Sequence, residues 1–401
     1  MNRNFSIRKK GRAIYPSRFK RSGFSGYKRN SQRGEFIDPQ KFVNKTISDQ
    51  KYEYFVPQHK FQDFKINQQI LKNIINRGYI IPTPIQDQVI PNALKGHDIV
   101  GIANTGTGKT AAFLIPLINK ILLDPREKVL IATPTRELAL QINQEFILFA
   151  KGMRIFSVCC VGGANIGRQI SELSRNHNLI VGTTGRLKDL IERKKINLSK
   201  FNTVVLDEVD RMMDMGFIDD TRLIMNNTPK EKQVLLFSAT ISYKIENLIN
   251  DFLRNPIKIS VKTGDTARNI EQDVVKITSN DRKIDVLHGL LVKEEFSKVL
   301  IFGRTKHGVE SLSKMLIHKG LKVESIHGNK NHSQRQRALG MFKENRVQVL
   351  VATDVAARGL DIDNVSHVIN YDLPATYDDY IHRIGRTGRG DKGGKSLTFI
   401  D

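Results

Sequence analysis

The sequence predicts an α/β protein built from two parallel-sheet domains in tandem, and three observations carry that prediction. The chain has 401 residues, too many for one comfortable core and enough for two domains that each bury an apolar centre. After Phe61, short β-branched runs alternate with amphipathic stretches, the texture of βαβ units. That series lapses around Asn250 to Ala267, where Pro256, Gly264 and Asp265 mark a linker, and then begins again.

The first series has strands at Ile99–Ile102, Val129–Thr133, Ile155–Val161, Leu179–Gly182, Thr203–Leu206 and Val234–Phe237. Between the second and third, a helix sets Leu138, Ile142, Phe146 and Phe149 on one face, at spacings of four, four and three. The second series has strands at Val299–Phe302, Val323–Ile326, Val347–Val351, Val368–Asn370 and Ser396–Phe399. The expected boundaries are a tail at 1–60, a first domain at 61–262, a linker at 263–270 and a second domain at 271–401. The only cysteines, Cys159 and Cys160, are neighbours on a strand and point to opposite faces. They form neither a metal cage nor a disulfide framework, and such usage fits packed thiols in a reducing cytoplasm.

The tail is basic and interleaved with rings. No acidic residue precedes Glu35, while Arg3, Arg8, Lys9, Lys10, Arg12, Arg18, Lys20, Arg21, Lys28, Arg29 and Arg33 alternate with Phe5, Tyr15, Phe19, Phe24 and Tyr27. Without periodicity it reads as a disordered, solvated segment with cations for phosphates and rings for bases. A passive solubilising tail and an organellar transit peptide stay open, whereas a signal peptide needs an apolar run that is missing here. Over the whole chain Lys plus Arg outnumber Asp plus Glu by 64 to 41, a net charge of +23. A surplus of that size attracts a polyanion, with nucleic acid first. No apolar stretch is long enough to span a bilayer and neither end carries a lipidation signature, so no membrane partner is expected.

Polar and glycine-containing stretches follow the strands: Asn104–Thr110, Thr133–Gln141, Thr183–Arg186, Asp207–Asp210, Ser238–Thr240 and Thr353–Asp361. In a parallel sheet all carboxyl ends share one edge, which is where ligands bind. The segment Ala103-Asn104-Thr105-Gly106-Thr107-Gly108-Lys109-Thr110 leaves a strand and opens a helix. Backbone N–H groups there converge on phosphate oxygens at the positive end of the helix dipole. Lys109 would reach the β- and γ-phosphates and Thr110 would hold Mg²⁺. Ala103 stands where this motif usually begins with glycine.

Asp207-Glu208-Val209-Asp210 ends the apolar strand Val204-Val205-Leu206, where a Mg²⁺-binding carboxylate belongs in a nucleotide hydrolase. Asp207 would bind the metal and Glu208 would orient and deprotonate the attacking water, while Asp210 alone also suits an exposed acidic turn. His382-Arg383-Ile384-Gly385-Arg386-Thr387-Gly388-Arg389 repeats arginine every third residue and offers several guanidiniums to one anion, the alternative being a solvated basic turn. If Arg386 and Arg389 are fingers supplied across a cleft, ATP is split only when the two domains close.

Together these segments resemble the DEAD-box ATP-dependent RNA helicases, over nearly all of Phe61 to Asp401. The matching residues run in the family's order: Phe61, Gly78-Tyr79-Ile80-Ile81-Pro82-Thr83-Pro84-Ile85-Gln86, the phosphate loop, Pro134-Thr135-Arg136-Glu137-Leu138-Ala139, Gly162-Gly163, the Asp207 tetrad and Ser238-Ala239-Thr240. Then come Ile301-Phe302, Arg335, Ala352-Thr353-Asp354 with Ala357-Arg358-Gly359-Leu360-Asp361, and the arginine motif. The resemblance implies two tandem RecA-like domains and a substrate, ATP, with Mg²⁺ as cofactor. It implies that Gln86 reads the adenine edge, that Phe61 stacks on the base, and that Asp361 contacts the ribose. Thr105, Gly106, Thr107, Gly108, Lys109 and Thr110 are then the phosphate cradle. Ser238 and Thr240 are implied to couple nucleotide state to RNA binding, and Thr135, Arg136, Gly163, Gly185, Arg186, Arg335 and Thr353 to line the RNA backbone.

Local unwinding of short duplexes, or of RNA–protein complexes such as ribosomal or messenger ribonucleoproteins, is the implied activity of a monomeric core. An ATP-gated clamp on single-stranded RNA uses the same motifs, whereas a phosphate-loop kinase or GTPase leaves Gln86 and the second domain unexplained. Around Ile301–Gly308 and His327–Lys330 the wording looks most like the bacterial RhlE-type subgroup. Three positions depart from the family pattern. Val209 replaces alanine, Thr184 replaces proline and brings a hydroxyl able to bond a phosphate, and His332 replaces glutamine, with a weakened or pH-sensitive RNA contact expected.

Overall fold

The apolar runs become strands because a parallel sheet covered on both sides buries every residue it contains. Strands β1 (Ile99–Ala103), β2 (Val129–Thr133), β3 (Ser157–Cys160), β4 (Leu179–Thr183), β5 (Thr203–Leu206), β6 (Gln233–Ser238) and β7 (Ile257–Val261) make the first sheet. Its order is β3-β4-β2-β5-β6-β1-β7, every pair parallel. Strands β8 (Ile270–Lys276), β9 (Val299–Phe302), β10 (Val323–Ile326), β11 (Val349–Ala352), β12 (His367–Asn370) and β13 (Gly394–Ile400) make the second, in the order β10-β11-β9-β12-β13-β8, again all parallel.

The computed structural model describes residues 42–43, 55–104, 106–261, 270–278, 282–357, 362, 364–388 and 393–400, without the side chains of His332 and Asp378. Helices α1 (Gln68–Asn76), α2 (Pro84–Leu94), α3 (Lys109–Leu123), α4 (Arg136–Phe149), α5 (Ile166–Leu173), α6 (Thr184–Glu192), α7 (Val209–Asp214), α8 (Ile218–Asn226) and α9 (Tyr243–Phe252) flank the first sheet. Helices α10 (Lys283–Leu291), α11 (Lys306–His318), α12 (His332–Lys343), α13 (Asp354–Ala357) and α14 (Tyr377–Ile384) accompany the second. Both sheets lie in one compact unit, residues 37–401. Among the described residues no helix is long and apolar enough to cross a membrane.

Successive strand residues point to opposite faces, and each sheet therefore has two cores. Val129, Ile131, Leu179, Val181, Val205, Leu235 and Phe237 meet the apolar faces of α2, α3 and α4. Their neighbours Leu130, Ala132, Ile180, Val204, Leu206, Val234 and Leu236 pack on the other side with Leu187, Met212, Ile224 and Leu248. Val299, Ile301, Val349 and Val351 repeat the pattern in the second sheet with Leu287 and Leu312, and Leu300, Phe302, Leu350 and Ala352 with Phe342. All four α4 residues picked out by their spacing, Leu138, Ile142, Phe146 and Phe149, are buried.

Strand order divides the first sheet's carboxyl edge into two halves. On β3, β4 and β2 it carries Gly162-Gly163, Thr183–Arg186 and Pro134–Arg136; on β5, β6 and β1 it carries the Asp207 tetrad, the Ser238 segment and the phosphate loop. The expected RNA residues and the expected nucleotide residues thus occupy adjoining halves of one edge.

Four expectations need correction. The stretch Asn250 to Ala267 is no simple lapse, because it holds the end of α9 and the whole of β7. Ile270, assigned to the linker, is instead the first residue of β8. Both strands lie at sheet edges, where one face meets water: β7 fully buries only Ile259, and β8 only Ile270 and Gln272, so neither shows an apolar run. The third strand is shorter than Ile155–Val161, being confined to Ser157–Cys160. Finally Phe42, placed in the solvated tail, is 1 % exposed and packs with Ile270, Tyr380 and Ile384. The rest of the tail's basic stretch, residues 1–41, lies outside the described residues, as do 44–54 and 262–269.

Candidate active site

The phosphate loop is shaped by two left-handed glycines. Gly106 has φ +83° and Gly108 φ +92°, a region open to glycine and strained for other residues. Gly108 caps α3, and a Cβ there would meet the Gln86 amide nitrogen at 2.5 Å. Gln86 is 1 % exposed and fastened at both ends, its Nε2 donating to the Gly108 carbonyl at 3.1 Å and its Oε1 accepting from the Thr83 amide at 3.0 Å. It therefore braces the loop directly. Thr107 ties the loop to itself by donating to the Asn104 carbonyl at 2.9 Å. Lys109 is 7 % exposed and its ammonium donates to the Ala103 carbonyl at 2.8 Å. A buried cation that hydrogen-bonds a neutral carbonyl, with the Asp207 carboxylate nearby, follows a glycine with no room for a Cβ, which suits a polyphosphate.

Phe61 lies in the core rather than on a surface, edge-on to Phe64 and Tyr79 with centroids 6.0 and 6.2 Å away. The segment before it is held by Asp87, whose carboxylate accepts from the backbone amides of Gln58 and His59 and meets His59 Nδ1 at 2.8 Å. Thr105 and Asp361 lie outside the described residues.

Asp207 follows β5 and is 2 % exposed. Burial pushes its carboxyl up to about 6, against which nearby Lys109 pulls it down and Glu208 pushes it further up. Such a carboxylate gains by taking a cation. No group of three or more His, Cys, Asp or Glu side chains among the described residues forms a metal cage. One carboxylate and one threonine hydroxyl are the sparse protein share that Mg²⁺ accepts, since it keeps several waters and takes substrate phosphates. Asp207 and Thr110 fit the ion on that ground.

Glu208 has φ +55° and ψ 51°, a left-handed conformation costing roughly 1–2 kcal/mol. Its carboxylate accepts from Arg211 Nη1 at 2.9 Å, and both side chains are nearly fully buried. Asp210 is no exposed turn: it is 8 % exposed, and its Oδ2 accepts from the backbone amides of Ala239 and Thr240 at 3.0 and 3.2 Å. Ser238 accepts from the Asp210 amide at 3.2 Å and donates to the Thr240 carbonyl at 2.7 Å. The Ser238-Ala239-Thr240 segment is thus hydrogen-bonded to the tetrad that holds the expected base.

The second sheet approaches this wall. Arg386 is 3 % exposed and lines a small cavity with Arg211, Asp354, His382 and Arg383. The His382 imidazole is pushed down by burial and by Arg211 and Arg386, with Asp210 and Glu208 opposing. The arginines of this motif do not act alike, which corrects the expectation that they serve one anion together. Arg383 is committed within its own sheet, forked onto Asp354 at 2.6 and 2.7 Å, donating to Asn370 Oδ1 and the Asp372 carbonyl, and stacked over Phe302 at 5.1 Å. Arg389 lies outside the described residues.

The other half of the edge is a cluster of arginines. Thr135 caps α4, its Oγ1 accepting from the Leu138 amide. Gly163 has φ +73°, and a Cβ there would fall 2.0 Å from Arg136 Nη1, so the guanidinium lies flat on the glycine. Burial destabilises the charged form of Arg136, Glu137 opposes this, and Arg335 and Arg186 add to it, a like-charge crowding that a further anion would relieve. Arg186 donates to Gln169 Oε1 at 2.9 Å, and Gly185 beside it is exposed with open space around it. Arg335, from α12 of the second lobe, reaches Glu137 of the first at 2.7 Å. Thr353 is 9 % exposed at the end of β11, its carbonyl accepting from Ala356 and Ala357.

Thr184 differs from expectation. It is 0 % exposed, and its hydroxyl is buried with no hydrogen-bond partner, so it is turned away from any backbone that passes Gly185. It opens α6, where its backbone is held regardless of the missing proline ring. The His332 side chain lies outside the described residues. Sequence reasoning missed Arg211 and understated Asp210; the one signal for them was their place directly after Glu208 at the start of a helix.

The family model for DEAD/DEAH box helicases matches residues 83–248, and that for the helicase conserved C-terminal domain matches residues 282–391. The chain is 46 % identical over 342 residues to the DEAD-box ATP-dependent RNA helicase CshA of Bacillus subtilis, covering 85 % of this chain and 69 % of that protein. It is 45 % identical to the CshA of Listeria monocytogenes, of which it spans 66 %. Both relatives are CshA helicases, and the expected RhlE-type likeness gains no support from them. Among solved structures, a DEAD box protein from Methanococcus jannaschii matches with 39 % identity and a TM-score of 0.52, over 85 % of this chain and 93 % of that one. S. cerevisiae Dbp5 bound to RNA and ADP BeF3 matches with 31 % identity and a TM-score of 0.74, over 85 % and 89 %.

Proposed function

The chain belongs to the DEAD-box ATP-dependent RNA helicases, and on that premise we propose that it locally unwinds short RNA duplexes or remodels RNA–protein complexes through RNA-stimulated ATP hydrolysis. The observation that carries this reading is the crossing of the cleft: Arg335 meets Glu137, and Arg386 lines one cavity with Arg211, the partner of Glu208. Each half of the site stands on a different sheet. The superposition on RNA- and nucleotide-bound Dbp5 supports an arrangement of the two lobes like the one in that complex.

In this reading residues 61–262 and 270–401 are the two working lobes, joined at 263–269 and preceded by a tail that tethers RNA. Gly106 to Gly108 present backbone amides to the phosphates of ATP, with Thr105 beside them, and Lys109 leaves the Ala103 carbonyl for the β- and γ-phosphates. Thr110 and Asp207 would hold Mg²⁺, which would supply positive charge to the phosphates. Glu208 orients the attacking water and takes its proton, and its strained backbone aims the carboxylate. Arg386 and Arg389 stabilise charge on the transferring phosphoryl group.

Gln86 selects adenine while bracing the loop, Asp361 contacts the ribose, and Phe61, buried as it is, anchors the segment that covers the base. Thr135, Arg136, Gly163, Gly185, Arg186, Arg335 and Thr353 hold the RNA backbone, so sequence preference is small. Asp210, Ser238 and Thr240 transmit nucleotide state between the halves. The chain acts as a monomeric core in the cytoplasm, where its paired thiols stay reduced. The test is strand displacement on short RNA and DNA duplexes with and without ATP. ATP-dependent displacement of RNA alone is expected; hydrolysis without displacement would favour an ATP-gated clamp that grips RNA as an assembly platform.

A further inference from the structure

Phe42 is an aromatic residue from the N-terminal segment buried on the second lobe. Its ring meets Tyr380 at 4.7 Å and 64°, and it shares a small apolar cluster with Ile270, Tyr380 and Ile384, edged by Val274 and Ile381. Ile270 and Val274 belong to β8, the outermost strand of its sheet, and Tyr380, Ile381 and Ile384 form one stripe of α14. Tyr380 ties the two elements together by donating to Gln272 Oε1 at 2.8 Å. The ring therefore closes the seam between an edge strand and a helix, from outside both.

The opposite side of α14 carries His382, which lines the cavity with Arg211, and Arg386 follows just past the helix end, while Arg383 lies between the two sides and is forked onto Asp354. Helix α14 is thus a thin layer, with Phe42 on one side and the catalytic wall on the other. Packing at one face of so short a helix fixes where its other face points, because the backbone between them is a single rigid rod. Phe42 is far in sequence from the lobe it packs against and precedes the first residues of the other lobe, so the contact adds to a domain that already has its own cores.

We propose that Phe42 is a positioning residue for ATP hydrolysis, which wedges α14 against β8 and so sets His382 and Arg386 against the Glu208–Arg211 wall. It touches neither substrate nor metal and acts through the helix. The proposal rests on Arg386 serving hydrolysis, and hydrogen exchange across α14 reads the wedge without that assumption.

The experiment compares Phe42→Ala, Phe42→Leu, and truncations lacking residues 1–41 or 1–43, in RNA-stimulated ATPase assays and amide exchange. Phe42→Ala and the longer truncation should lower kcat about tenfold while leaving the KM for ATP within about twofold, as expected when geometry rather than binding is lost. Exchange should quicken across Tyr377–Ile384 and stay unchanged in α3 and α4, which reports an intact first lobe. Phe42→Leu should restore most of both, and at saturating RNA the truncation that keeps Phe42 should match the full chain in kcat and in exchange. Wild-type kcat and exchange in Phe42→Ala would overturn the proposal, as would an equal loss on removing residues 1–41 alone, which would assign the effect to the basic tail.

Discussion

Replacing Thr184 with valine should stabilise the protein, against the usual expectation for a buried position. The Thr184 hydroxyl is fully buried without a hydrogen-bond partner, and a buried polar group left unpaired costs about 1–3 kcal/mol. Valine has nearly the same shape and removes the polar atom, so a gain of about 1–2 kcal/mol is expected. Proline should add about 0.5 kcal/mol by restricting the unfolded chain. It suits the position because Thr184 is the first residue of α6, where the amide has no helical partner, and Thr183 already has φ −79° and ψ 140°. For a lobe of this size about 2–4 °C in Tm accompanies each kcal/mol. Calorimetry of the three proteins, with RNA affinity measured alongside, is the assay. A lower Tm for Thr184→Val would show that the hydroxyl has a partner, and an RNA affinity weakened about tenfold, or about 1.4 kcal/mol, would show that it faces the RNA.

Gly163→Ala should abolish RNA stimulation while sparing basal ATPase, because the added methyl displaces the Arg136 guanidinium and strains a left-handed backbone; unchanged RNA stimulation would refute the contact. Val209→Ala removes two methyls from a fully buried core position, which should cost about 2 kcal/mol in chemical denaturation but change ATP turnover less than about tenfold, roughly 1.4 kcal/mol. Burial holds the His367 imidazole down at about 4 against its ordinary 6.5. The unfolded chain therefore protonates first as pH falls, so stability from this group is whole above 6.5 and is lost on the way down to about 4. The full shift corresponds to about 3 kcal/mol, reduced to about 1–2 because the ring lines an open cavity. Unfolding midpoints between pH 7 and pH 5 should fall in the wild type and hold steadier in His367→Gln, and parallel slopes would contradict this.

The strands of both sheets were legible wherever a run was apolar at every position, as in Val129–Ala132 or Val299–Phe302, because burial on both faces leaves no ambiguity. Two of the edge strands, Ile257–Val261 and Ile270–Lys276, were not legible, since they keep one side in water and read as polar. The wall of acids and the phosphate loop could be placed from sequence because each follows such a run directly. The fates of Arg383 and Arg386 could not be separated: they are identical in type and regular in spacing, and only the fold brings Asp354 to one and Arg211 beside the other. Phe42 is a single ring in polar surroundings, and its burial depends on a seam between elements more than two hundred residues further on.

In the proposed mechanism the ATPase site is completed across the cleft, with the charge for catalysis coming from the second lobe. Arg386→Ala tests it most directly, by following RNA-stimulated hydrolysis beside binding of a fluorescent ATP analogue. A fall in kcat of about 10³-fold is expected, the scale of a lost arginine finger, with nucleotide affinity held within about threefold because the phosphate loop is untouched. Hydrolysis within about tenfold of wild type would place all the catalytic charge on the first lobe and contradict the account.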